Sequence, residues 1–290
     1  MSIATKDIRN VVFLGHSGSG KTTFIETMLF ESGIIPRRGS VEAHNTISDF
    51  TDLERERENT IYNHLMHAKW HNNKINIIDT PGFDDFIGEV VSSLKVSDTA
   101  LILLNAASGV EVGTEIVWEY VQNYQTPALF VINQMDHPKA DYDTTLEQAK
   151  NRFGNKVIPI QYPYNSGEKF NSIIDVLRMT MYVFPENGGK PEKMPIPTSE
   201  LEKANALHNA LVEAAAENEE GLMEKYFEKG NLDEEELAKG LTIALAHQQI
   251  YPVFCASGLK DMGSGRIMGF IDDIAPSPAD RPANKLENGA

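Results

Sequence analysis

A single cysteine, Cys255, occurs in 290 residues. No intrachain disulfide framework can form, and a reducing, cytoplasmic setting is the expectation. Long apolar runs are missing too. None approaches the ~20 residues that span a bilayer, and the N-terminal stretch has no apolar segment of signal-peptide type. No membrane partner is expected. Basic residues are scarce: 26 Lys and Arg face 42 Asp and Glu, a formal net charge of −16. That balance excludes a broad basic surface for DNA or naked RNA, but leaves room for a local RNA contact by a few arginines. The length suits one large domain carrying an insertion, or two domains.

What is present starts with Gly15-His16-Ser17-Gly18-Ser19-Gly20-Lys21-Thr22. It fits G-x-x-x-x-G-K-[ST], a loop whose backbone N–H groups cradle phosphates at a helix N-terminus. The apolar run Val11–Leu14 before it predicts a buried strand, and Thr23–Phe30 after it predicts a helix. That context is the one the motif needs. Lys21 is placed for the β/γ-phosphates and the Thr22 hydroxyl for Mg²⁺.

Residues 34–64 lose periodicity and turn polar, which reads as a nucleotide-sensing switch poorly ordered without a γ-phosphate, or else as a solvated charged connection. Lys74–Asp79 predicts a strand ending in Asp79-Thr80-Pro81-Gly82. There Asp79 is placed to bind Mg²⁺ through water, and Gly82 can bring its amide against a γ-phosphate. Thr99–Asn105 and Ala128–Asn133 are two more buried strands, with a helix from about Thr114 to Tyr124 between them. This alternation gives a parallel sheet with helices on both faces. The second strand ends in Asn133-Gln134-Met135-Asp136. An amide and a carboxylate at that spacing can pair with a purine, and a carboxylate accepting from N1–H and the 2-amino group selects guanine.

A further helix over 141–154 and a strand over 157–160 follow, before the character changes. Between Glu200 and Lys239 stand twelve acids and four lysines, about half of the chain's net charge, on amphipathic helices. Their charged face is either a solvated surface or a docking surface. Ile250–Cys255 returns to a buried strand leading to Ala256-Ser257-Gly258, whose amides could touch a guanine O6, and a helix over about 266–274 closes the chain. The predicted fold is α/β: a phosphate-loop domain with a doubly wound, mostly parallel sheet over 1–157 and 250–275. An inserted α+β subdomain occupies 158–249. The proline-rich 276–290 reads as an unstructured linker toward a further domain.

These boxes, in this order, resemble the translational GTPases, and within them the elongation factor G family. The likeness extends through Asn76–Gly82, Gly109–Glu115, Glu213–Glu217, Leu222–Tyr226 and Pro276–Pro278. It implies GTP/GDP and Mg²⁺ as ligands and the ribosome as partner, both its RNA and its stalk proteins, the latter through the acidic insertion. The implied nucleotide contacts are His16, Ser17, Gly18, Ser19, Gly20, Lys21, Thr22, Thr23, Gly82, Asn133, Gln134, Asp136, Ser257 and Gly258. Thr22, Thr60 and Asp79 would serve the metal. The departures fall elsewhere. Phe83 stands where the family has the histidine that positions the attacking water, and a phenyl ring makes no hydrogen bond. Ser17 and Asn59 replace two apolar residues flanking that water, Gly18 replaces an Asp, and Gln134 replaces a Lys. The resemblance implies a factor promoting ribosomal translocation with an intact binding set and an altered hydrolytic set, like the divergent second-type paralogues. Full GTP hydrolysis, or a ribosome-protection or recycling role, is the alternative. An unrelated phosphate-loop ATPase or kinase is disfavoured by Asp136 and Ser257.

Overall fold

Runs of apolar residues without alternation mark strands buried on both faces, and they build the centre of the molecule. The computed structural model describes residues 3–71, 73–186 and 188–281. Strands β1 (Ile8–Leu14), β2 (His64–Trp70), β3 (Asn73–Asp79), β4 (Thr99–Asn105), β5 (Ala128–Asn133), β6 (Val157–Pro159) and β11 (Tyr251–Cys255) form one sheet in the order β2-β3-β1-β4-β5-β11-β6. All neighbours are parallel except β2, which joins the edge antiparallel to β3. Val11, Phe13, Leu101 and Val131 face one layer, and Val12, Leu14, Ile102 and Phe130 face the other.

Helix α1 (Lys21–Glu31) follows the first strand, and the short α2 (Asp52–Arg57) lies inside the polar segment. Helices α3 (Ile87–Val96), α4 (Val112–Asn123) and α5 (Tyr142–Phe153) cover the second layer through Leu94, Val121 and Phe153. The first layer is covered by α1 and α9 (Ser264–Ile274). Parallel β–α–β winding of this kind leaves a crevice at the carboxyl ends of the strands, where the order reverses beside β1.

The insertion has its own antiparallel sheet, β10-β9-β8-β7, from β7 (Gln161–Pro163), β8 (Ser172–Asp175), β9 (Thr180–Val183) and β10 (Glu192–Met194). The large sheet therefore runs to Pro159 before the second begins at Gln161. Helices α6 (Leu201–Ala216), α7 (Glu220–Lys229) and α8 (Glu234–Ala246) follow, and Leu211, Leu241 and Leu245 share a core with Phe254 and Ile267 of the larger unit. Asp233 and Glu236 close a capping box at the start of α8, which satisfies two helix-end amides. At the C-terminal end, Pro278–Asp280 form one turn capped by Ser277, and the Arg281 guanidinium donates to the Ser97 carbonyl. This part of the expected linker is thus tied to the domain. Residues 282–290, the rest of it, lie outside the described residues.

Candidate nucleotide site

The chain leaves β1 at the fully buried Leu14 and enters α1 through Gly20, whose φ of +87° is left-handed backbone that a Cβ would strain. No side chain caps the start of α1, so its first N–H groups are open to an anion. Lys21, 6% exposed, donates to the carbonyls of Gly15 (2.9 Å) and His16 (3.2 Å). Burial pulls its pKa down to about 8, against the opposing fields of Asp79 and Asp49. Gly82 closes on the same loop: a Cβ there would lie 2.6 Å from Lys21 Nζ and 2.7 Å from Ser17 Cα. Only glycine allows that approach.

Four oxygen-bearing side chains meet at the next corner. Thr22 donates to Asp79 Oδ2 at 3.0 Å and its hydroxyl lies 3.2 Å from that of Thr60, which donates to Asp49 Oδ1 at 2.9 Å. The other Asp79 oxygen is buried without a partner. Burial pushes the Asp79 pKa up to about 6, with Lys21 opposing, and raises that of Asp49 as well. An orphaned carboxylate oxygen among hydroxyls suits a hard divalent cation such as Mg²⁺. Asp49 was not singled out by the sequence, where it is one of several acids in an aperiodic stretch.

At the base end the loops are tied to one another. Asn133, 1% exposed, donates from Nδ2 to the Ser19 carbonyl (2.9 Å) and accepts from the Gly258 amide (3.0 Å). It braces the phosphate loop against the loop that follows β11. The Ala256 and Ser257 amides donate to the carbonyls of Ile132 and Met262. All three amides that could touch a guanine O6 thus have internal acceptors. Gln134, at φ +61°, donates to the Gly18 carbonyl (2.8 Å) and accepts from Asn105 (2.9 Å). The Ser257 hydroxyl accepts from the Lys260 amide at 3.0 Å. Asp136 is half-buried, and its carboxylate has no hydrogen bond among the described residues. Thr23 lies in the first turn of α1, half-buried, its carbonyl accepting from the Thr27 hydroxyl.

Phosphate loop, cation corner and Gln134 line a cleft of about 300 Å³. None of the histidines contributes to its lining. His16 points away, its Nε2 3.7 Å from Glu111 and its Nδ1 buried against Gly113. His64 is buried against Glu54, 2.7 Å away, and His67 is exposed on β2. Phe83 is 45% exposed in extended backbone just beyond Gly82. Ser17 Oγ and Asn59 Oδ1 lie 3.5 Å apart, so the two polar replacements meet.

Two buried carboxylates hold the polar segment, and the sequence did not reveal either. Glu54, fully buried, accepts from the amides of Ile61 (3.0 Å) and Tyr62 (3.2 Å) and from the Thr51 hydroxyl (2.6 Å). Glu26 on α1 accepts from the amides of Gly39 (2.8 Å) and Ile47. The Glu26 donors lie 13 and 21 residues away, whereas those of Glu54 lie three, seven and eight residues away.

Residues 6–277 match the family of the elongation factor Tu GTP binding domain. Elongation factor G of Mycoplasma genitalium is 33% identical over 287 residues, which cover 98% of this chain and 41% of that protein. A crystal structure of a Thermus thermophilus protein superposes with a TM-score of 0.89 at 32% identity, over 95% of this chain and 41% of that one. The chain thus spans about two fifths of the length of the relatives it matches.

Proposed function

The chain belongs to the family of the elongation factor Tu GTP binding domain, and from that premise we propose that it is the GTP-binding part of an elongation factor G-like protein promoting ribosomal translocation. In this reading it works in the cytoplasm and GTP binding, more than hydrolysis, drives its switching. The observation that carries the reading is Phe83: it follows Gly82 at the phosphate end of the cleft, and no histidine lines that cleft. Guanine selection is assigned to the unpaired Asp136 carboxylate. Asn133 acts by bracing the phosphate loop, and Gln134 supports the same loop at Gly18. Thr22, Thr60 and Asp79 would hold Mg²⁺, which offsets phosphate charge when bound. Partners in this reading are ribosomal RNA and stalk proteins, the latter on the acidic α6–α8. The intact cation corner also favours a second reading, a fully hydrolysing translocase. The test is ribosome co-sedimentation with GTP, a non-hydrolysable GTP analogue, GDP or ATP. Equal retention with GTP and the analogue, and loss with GDP and ATP, is expected. Retention indifferent to the nucleotide refutes the proposal.

A further inference from the structure

A cavity of about 530 Å³ lies on the far end of α1 from the phosphates, where the inserted sheet meets α9. Its size and its place between two structural units are those of small-molecule sites. The walls are aromatic: Phe30, Trp70, Tyr182 and Phe184. The floor is opened by Gly265 and Gly269, one turn apart on α9. A Cβ on Gly265 would stand 2.9 Å from Glu31 Oε2, and one on Gly269 would stand 3.9 Å from Trp70 Nε1.

Those two atoms are the informative ones. Glu31 Oε2 and Trp70 Nε1 are both buried without a hydrogen-bond partner. A buried polar group left unpaired costs about 1–3 kcal/mol, so two in one cavity point to an occupant that pairs with them. The indole offers a donor. Burial, with the neighbouring Asp261 carboxylate that lines the same cavity, pushes the Glu31 carboxyl up to about 8. At the rim stand the exposed Lys190 and Lys193, a positive edge on a strongly acidic protein.

We propose that this cavity binds a small planar heterocycle carrying an amide edge and an anionic tail, of which a pyrimidine nucleoside monophosphate is the simplest form. The ring stacks among the aromatic side chains. Its amide edge pairs with Trp70 Nε1 and Glu31, and its phosphate lies at the two lysines. The site is separate from the phosphate loop and independent of how fast GTP is hydrolysed.

Trp70 and Trp118 are the two tryptophans, and Trp118 sits in the opposite layer against Phe130 and Phe153. The chain labelled with 5-fluorotryptophan therefore reports the cavity with one ¹⁹F resonance and carries an internal control in the other; Trp118→Phe assigns them. With the phosphate-loop site saturated by GDP and Mg²⁺, uridine monophosphate is titrated to about 10 mM, beyond the millimolar range of weak ligands. A saturable shift of the Trp70 resonance alone is expected. Lys190→Glu with Lys193→Glu, both on the surface, should weaken uridine monophosphate at least tenfold and leave uridine unchanged. Gly269→Leu, which fills the floor, should abolish both shifts while GDP binding persists. No saturable shift at Trp70, equal shifts at both tryptophans, or indifference to the lysine changes overturns the proposal.

Discussion

Replacing Phe83 with histidine should speed GTP hydrolysis while leaving the fold and nucleotide binding alone. The site favours a clean reading. Phe83 is 45% exposed at φ −94° and ψ 140°, extended backbone open to any residue, and it leads into a single turn over Asp84–Phe86. Little packing is lost, so a rate change reports chemistry. A positioned acid–base group contributes about 10²–10⁴-fold. We expect the lower end here, because Ser17 and Asn59, 3.5 Å apart in the cleft lining, offer polar atoms that would compete for an attacking water. We therefore expect a gain of about 10²-fold at most for Phe83→His, and more when Ser17 and Asn59 are also made apolar. The assay is single-turnover release of phosphate from GTP, with protein in excess, with and without ribosomes. A parent protein that already turns over GTP as fast as Phe83→His on the ribosome would refute the reasoning, since the geometry would then come from another group.

Asn133→Ala should lower both stability and GDP affinity. It strands the Ser19 carbonyl and the Gly258 amide, each worth about 1–3 kcal/mol when buried unpaired, and chemical denaturation with a GDP titration checks it. Glu31→Gln should flatten the pH dependence of stability. Burial holds this carboxyl protonated in the fold, raised from 4.5 to about 8, so its contribution is complete below the unfolded value and disappears as pH rises through the folded one. Melting temperatures from pH 5 to 9 should fall less steeply in the variant, and an identical slope contradicts the assignment. Amide exchange at Gly39, Ile47, Ile61 and Tyr62 should be slower with a non-hydrolysable GTP analogue than with GDP, and equal protection means that the segment is not a switch.

Much of the fold was legible because its signals are local. Val11–Leu14 and Thr99–Leu104 are unbroken apolar runs, and such runs fit strands covered on both faces. The phosphate loop was legible because its chemistry needs glycines and a lysine at fixed spacing. Asn133 was legible from its place at a strand end, but its partners within the fold, Ser19 and Gly258, lie 114 and 125 residues away. The antiparallel hairpin of Ser172–Asp175 and Thr180–Val183 was covered only by the expected α+β subdomain over 158–249, because its short strands lie between turns too closely spaced to show a period. Asp49, Glu26 and Glu54 escaped altogether. Acids are common in this chain, and what sets these three apart is burial, a property of the folded state.

The same three carboxylates bear on how the protein could switch without rapid hydrolysis. Glu26 belongs to α1, the helix whose first turn carries Lys21 and Thr22, and it holds Gly39 and Ile47 of the polar segment. Glu54 folds the segment's second half on itself through Ile61 and Tyr62, which leaves Thr60 beside Thr22 and Asp49. When the segment lifts, these carboxylates regain water, so the net loss per hydrogen bond is about 0.5–1.5 kcal/mol, well short of its strength in a dry medium. Of these bonds only the two from Gly39 and Ile47 to Glu26 tie the segment to α1, so they favour the closed state by about 1–3 kcal/mol, less than the ~5.5 kcal/mol that moves a two-state equilibrium from one extreme to the other. Contacts made only with a γ-phosphate and its cation can supply a differential of that size. Binding and release of GTP would then suffice to close and open the segment, and slow hydrolysis would lengthen the closed state without removing the switch.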